Sequence, residues 1–155
     1  MYLIGDVGNT SIKICLFDNN LRLTKNIKIY KKNLNKKYLK KKLSFLRKYN
    51  SKIKKAVFSS VVPKSYIIIK TTIKEIANLK CKELKNCNLK NFINIKVDRK
   101  QIGSDRLANA IGVIDNKYNY IVVDFGTATN FDIVIKKDYV GGVLAPGVEL
   151  SLKNL

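Results

Sequence analysis

Apolar positions along the chain come in short runs, some alternating and some continuous, separated by small polar turns. Residues 2–7 and 12–18 read as strands on either side of a Gly8-Asn9-Thr10-Ser11 turn. LRLTKNIKIY (21–30) alternates as a third strand after an Asn19-Asn20 turn. Residues 32–49 carry leucines and aromatic residues at helical spacing among lysines and predict a helix with one solvated face. KAVFSSVV (55–62) is β-branched and stops at Pro63, and residues 64–78 predict a second helix. FINIKV (92–97) reads as a strand, and SDRLANAIGVID (104–115) as a helix with a Ser-Asp start. YIVVDFGTATNFDIVI (120–135) is another strand–turn–strand. A short strand, a glycine-proline loop and the beginning of a helix close the chain. The order βββαβαβα followed by hairpins predicts an α/β domain with a mixed sheet, then the start of a second sheet. The boundary is expected near 116–119, at the turn-forming DNKYN, which divides the chain into 1–117 and 118–155.

Two stretches share one pattern. LIGDVGNTSIKICLF (3–17) and IVVDFGTATNFDIVI (121–135) each carry an apolar strand, Asp-X-Gly, small hydroxyl or amide residues and a second apolar strand. Asp6 matches Asp124, Gly8 matches Gly126, and Asn9-Thr10 matches Thr127-Ala128-Thr129. The repeat suggests two related halves, each offering a turn to a shared cleft. Glycine lets backbone approach a ligand closely, and successive amides in a tight turn make a concave anion cradle. Lys13, just past the first turn, reaches a phosphate as a point charge. A carboxylate in each turn suits an anion only with a cation between them. Mg²⁺ takes carboxylate, water and phosphate oxygens together. The pattern therefore points to a nucleotide polyphosphate. Neither G-x-x-x-x-G-K nor G-x-G-x-x-G after a strand occurs, which excludes the P-loop and dinucleotide routes.

Composition narrows the classes further. At 46% hydrophobic, the 155 residues hold enough for a core. No apolar stretch is long enough for a membrane span, and the chain enters a strand at once, so the expectation is a cytoplasmic protein without a leader. Cys15, Cys81 and Cys87 have no metal-ligand spacing and read as reduced structural thiols. With no histidine, Ser-His-Asp and Cys-His catalysis are excluded. The net charge of +20 invites a nucleic-acid reading. Scattered lysines in a chain crowded with asparagine and isoleucine point instead to a composition bias and solvated faces, so neither nucleic acid nor membrane is expected as a partner.

Five segments, DVGNTSIK (6–13), SSVVP (59–63), GSDRLANAIG (103–112), DFGTATNFDIV (124–134) and GGVLAPG (141–147), resemble type III pantothenate kinase in order and approximate spacing. That family belongs to the actin-like ATPase (ribonuclease H-like) superfold, a mixed sheet flanked by helices with a duplicated second half. The resemblance implies ATP-dependent phosphorylation of the terminal hydroxyl of pantothenate, the first step of coenzyme A synthesis. It also implies Mg²⁺, a monovalent cation (K⁺ or NH₄⁺) and a homodimer with pantothenate near the subunit interface. It makes Asp6, Val7, Gly8, Asn9, Thr10, Ser11, Ile12 and Lys13 the first phosphate loop, with Asp6 reaching Mg²⁺ through phosphate. It makes Gly103, Ser104, Asp105 and Arg106 the pantothenate segment, with Asp105 the catalytic base. Asp124 would hold the monovalent cation, and Thr127 would contact ATP in a loop shaped by Gly126 and Thr129. The residues agree with these roles. A carboxylate in the first turn of a helix faces the positive dipole end, and an arginine fork suits a carboxylate.

Three departures stand out. The chain ends at SLKNL, inside the first helix after the Gly-Gly-X-X-X-Pro-Gly loop, where family members continue. The resemblance is therefore to a truncated second half. An impaired remnant that binds nucleotide or serves as an accessory protein is the alternative reading. Before Gly103, the chain reads IKVDRKQIG, with Lys96 or Val97 where the family has a pantothenate-contacting tyrosine. Asn130 stands where threonine is common.

Overall fold

The computed structural model describes residues 1–153. It forms two compact units, Met1–Cys87 and Asn88–Leu155. In the first unit, β1 (Tyr2–Val7), β2 (Ser11–Phe17), β3 (Leu23–Tyr30), β4 (Lys55–Ser60) and β5 (Cys81–Glu83) form a five-stranded sheet in the order β3-β2-β1-β4-β5. β1–β2 and β2–β3 are antiparallel, whereas β1–β4 and β4–β5 are parallel. Strand alternation sends Leu3, Val7, Ile12, Ile14, Leu16, Ile27 and Ile29 to one face. There they meet Leu39 of α1 (Lys36–Lys42), Leu46 of α2 (Leu46–Tyr49), and Ile69, Ile73 and Ile76 of α3 (Pro63–Ala77). Proline opens α3, and Asn78, in the left-handed conformation, closes it by donating to the Lys74 carbonyl.

The second unit contains β6 (Asn94–Ile95), α4 (Ser104–Val113), β7 (Asn119–Phe125), β8 (Ala128–Ile135), β9 (Asp138–Pro146) and α5 (Val148–Lys153). Its sheet runs β6-β9-β8-β7, with β7–β8 and β8–β9 antiparallel and β6–β9 parallel. α4 contacts β7 and β8, and its buried residues are Ser104, Leu107 and Ala110.

The mixed sheets and flanking helices match the expected α/β class. Several boundaries differ. The compact units part at Cys87/Asn88 rather than at 116–119, because β6 pairs with β9 and α4 packs on β7 and β8. The helix expected over 32–49 is broken. The Asn35 side chain accepts from the Tyr38 amide at 2.8 Å and starts α1 there. The Ser44 hydroxyl then donates to the Lys41 carbonyl at its end. The third strand begins two residues late, because Asp18 accepts from the Asn20 and Arg22 amides and Leu21 takes a positive φ of 60°. The strand at 92–97 shrinks to two paired residues, whereas the expected glycine-proline loop is mostly strand, as β9 runs to Pro146. β5 was not anticipated at all.

Candidate active site

The first hairpin is tight. The Gly8 amide donates to the Ser11 carbonyl at 3.1 Å, leaving Asn9 and Thr10 exposed at the tip. The loop is braced where Lys31 N donates to the Thr10 carbonyl at 3.0 Å. Asp6, the penultimate residue of β1, pairs across the ladder with Lys13 on β2 and lies beside Ser59 on β4. These three side chains share the sheet face opposite the helix-covered core. Ser59 is 9% exposed, and its buried hydroxyl has no hydrogen-bond partner among the described residues. The expected phosphate-loop residues 6–13 are thus gathered at one sheet end, with an acid, a base and an orphaned hydroxyl on adjacent strands.

The second hairpin repeats the design. The Gly126 amide donates to the Ala128 carbonyl at 3.0 Å, and Asp124 is again penultimate in its strand, paired with Asn130. Thr127 is exposed, whereas Thr129 is buried and its hydroxyl donates to the Pro146 carbonyl at 3.3 Å. Gly147 lies against this loop. A Cβ there would come within 2.4 Å of the Thr127 carbonyl oxygen and 2.6 Å of that of Gly126. No other residue fits without moving the loop.

α4 places the third set. Gly103 is the N-cap, Ser104 is buried, and Asp105 lies partly exposed in the first turn. The Asp105 carboxylate accepts from the Arg106 amide at 2.8 Å. The guanidinium of Arg106 turns into the unit. Its Nε donates to Asp132 Oδ1 at 2.8 Å, and Nη2 lies 2.6 Å from the same oxygen. The Tyr139 hydroxyl donates to that oxygen too, at 2.5 Å. The hydrogen bond from Arg106 to Asp132 holds the guanidinium's pKa above its ordinary value. Burial, and then the bond to Asp132, push the Tyr139 phenol well above the ordinary tyrosine range.

The sequence reading missed Asp132, Tyr139, Ser59 and the close-packed glycines. A signal existed for Asp132, a lone carboxylate within the β-branched run FDIVI. Among the described residues, no group of three or more His, Cys, Asp or Glu side chains gathers as a metal site, and no helix is long and apolar enough to cross a membrane.

The strand order and the two Asp-X-Gly hairpins define an actin-like ATPase fold. Consistent with that class, the Ppx/GppA phosphatase of Aquifex aeolicus (type II variant) superposes with a TM-score of 0.52 at 14% identity, over 99% of this chain and 54% of that one. The chain itself belongs to the type III pantothenate kinase family, whose model matches residues 2–155. The type III pantothenate kinase of Pelagibacter ubique (strain HTCC1062) is 50% identical over the whole chain, and that of Desulforapulum autotrophicum is 33% identical. The chain spans about 62% of the length of each of these relatives.

Proposed function

We propose that the protein phosphorylates the terminal hydroxyl of pantothenate at the expense of ATP, the first step of coenzyme A synthesis. The family match across residues 2–155 carries this reading. The geometry of each segment supports it. The Gly8–Thr10 turn suits phosphate oxygens, and Lys13, on the face shared with Asp6, supplies a point charge. Asp6 and the orphaned Ser59 hydroxyl are oxygen donors on neighbouring strands, a set that suits a hard cation such as Mg²⁺. When bound, Mg²⁺ neutralises charge developing on the phosphates. In the second hairpin, Thr127 contacts nucleotide, Gly126 and Thr129 shape the loop, and the Asp124 carboxylate serves a monovalent cation, K⁺ or NH₄⁺.

Asp105 accepts the proton of the attacking hydroxyl. It lies in the first turn of α4, and a loose phosphoryl-transfer transition state asks for positioning more than for strong basicity. Gly103, Ser104 and Arg106 hold pantothenate, with the remaining donors of Arg106 facing its carboxylate. A homodimer and a cytoplasmic location complete the proposal on the strength of the family resemblance. One observation favours a second reading, a chain that binds nucleotide with little turnover. The IKVDRKQIG segment lacks the family's tyrosine, and its Val97 lies against Gly141, where an added Cβ would be 3.4 Å from Val97 Cγ1.

The test is coupled ADP release from ATP, with and without pantothenate and K⁺, in the protein and in Asp105→Asn. Pantothenate- and K⁺-dependent release that falls about 10²–10⁴-fold in the variant supports the kinase. Nucleotide binding without pantothenate-dependent release supports the second reading.

A further inference from the structure

Arg106 does not meet a substrate as an unencumbered cation. Asp132 is fully buried on β8, and its Oδ1 alone receives Arg106 Nε, Arg106 Nη2 and the Tyr139 hydroxyl. Oδ2 is also buried and has no hydrogen-bond partner among the described residues. The Arg106 side chain is only 13% exposed. The backbone around the pair leaves room for it. Gly142 is the register partner of Asp132. A Cβ at Gly142 would sit 2.6 Å from Arg106 Nη2, 2.9 Å from Asp132 Oδ1 and 2.2 Å from the Phe131 carbonyl oxygen. The glycine lets the arginine reach the carboxylate.

A buried ion pair is a poor route to stability, because desolvating both charges offsets most of their attraction. Its distinctive product is a fixed geometry. Arginine has five N–H donors in a rigid fork. Asp132 engages Nε and Nη2, which fixes the plane of the fork, and Nη1 takes no part in that contact. The carboxylate also cancels much of the guanidinium's charge. An arginine so held recognises an incoming carboxylate by direction rather than by long-range attraction.

We propose that Asp132, supported by Tyr139, is the positioning residue of the substrate arginine, and that it sets how strongly the site prefers a substrate ending in a carboxylate. This inference rests on the pantothenate reading. It goes further in making specificity depend on two residues outside the Gly103–Arg106 segment. Gly142 belongs to the same device, since any side chain there drives the pair apart.

The experiment compares the protein with Asp132→Asn, Tyr139→Phe, Arg106→Gln and the Asp132→Asn/Arg106→Gln double variant. Thermal unfolding shows which of them fold. For each, pantothenate binding is measured by calorimetry, and KM and kcat are measured for pantothenate and for its uncharged primary-alcohol analogue. Loss of a charge-assisted hydrogen bond corresponds to about a 10- to 100-fold weakening. The expected result is a rise of that order in Kd and KM for pantothenate in Asp132→Asn, with kcat changed far less. The preference for acid over alcohol collapses, and Tyr139→Phe shifts both in the same direction by a smaller factor. In the Arg106→Gln background, Asp132→Asn adds little, because its effect runs through the arginine. Should Asp132→Asn fail to fold, Tyr139→Phe alone decides. Folded variants with unchanged affinity and unchanged acid-over-alcohol preference overturn the inference and leave the kinase reading standing. An unsubstituted protein that neither binds nor phosphorylates pantothenate overturns the kinase reading, and this inference with it.

Discussion

The two sheets solve opposite problems. In the first, one face is a closed aliphatic core under α1 and α3, with Ile14, Leu16, Phe58, Ile69 and Ile73 fully or almost fully buried. Its other face is mixed and carries Asp6, Lys13 and Lys28. In the second sheet, one face carries a buried carboxylate and phenol among apolar side chains, and the other face is apolar. Asp132 is fully buried and Tyr139 is 1% exposed. Ile121, Val123, Phe131, Ile133 and Val143 are all more than a third exposed. The first unit draws its stability from apolar burial. In the second, a carboxylate, a guanidinium and a phenol occupy interior space that aliphatic side chains would fill more cheaply. Binary patterning is therefore a clear guide to the first sheet and a weak one to the second, where apolar side chains line both faces.

Removing a side chain from the first sheet's core should have the largest effect on stability. Ile73→Ala should cost about 2–5 kcal/mol, visible as a lower denaturation midpoint. The equivalent change on the outward face of the second sheet, Ile121→Ala, should fall within about 0.5 kcal/mol. Equal losses would erase the contrast.

Overpacking comes next. Gly5 on β1 lies under the Phe58 ring, where a Cβ would approach ring carbons to 2.1 Å. Gly5→Ala should destabilise the first unit by about 1–3 kcal/mol. Gly147→Ala strains the Gly126–Thr127 loop instead. It should raise the KM for ATP and also lower the denaturation midpoint, because the clash is with backbone.

Alkaline pH should act on the first unit through Tyr66 and Cys81. Burial raises the Tyr66 phenol to about 12, followed by the influence of Cys81 and Glu83, and burial also pushes the Cys81 thiol up to about 12. Both groups prefer the protonated form when folded. Their contribution is thus fully present below the unfolded-state values and is lost as pH rises through about 9 to 12. Melting temperature should fall across that window, and the fall should be shallower in Tyr66→Phe. An unchanged profile would remove burial of these groups as its cause.

The smallest effect on stability is expected from Val143→Lys on the outward face of the second sheet. It should leave folding nearly unaltered and reduce self-association measured by light scattering, because large exposed apolar patches favour association.

What was legible in the sequence follows the same division. Alternation in YLIGDV and SIKICLF, with the small polar turn between, located β1, β2 and the first hairpin with little error. β5 escaped because three residues, Cys81–Glu83, carry no measurable period. In β8 the apolar Phe131 and Ile133 share one face while Asp132 and Val134 are buried on the other, so alternation alone does not say which face holds the carboxylate. Asp105 and Arg106 were readable as a helix-start pair. That Arg106 turns inward to a carboxylate 26 residues away depends on tertiary packing, and on the absence of a side chain at Gly142. Backbone proximity of that kind leaves no local trace beyond the glycine itself.

The most direct test of the central claim is pantothenate-dependent ADP formation by the protein and by Asp105→Asn, in the presence of Mg²⁺ and K⁺. The account predicts turnover that requires pantothenate and drops about 10²–10⁴-fold in the variant, with pantothenate binding retained. ADP formation indifferent to pantothenate, or equal in the two proteins, would contradict it.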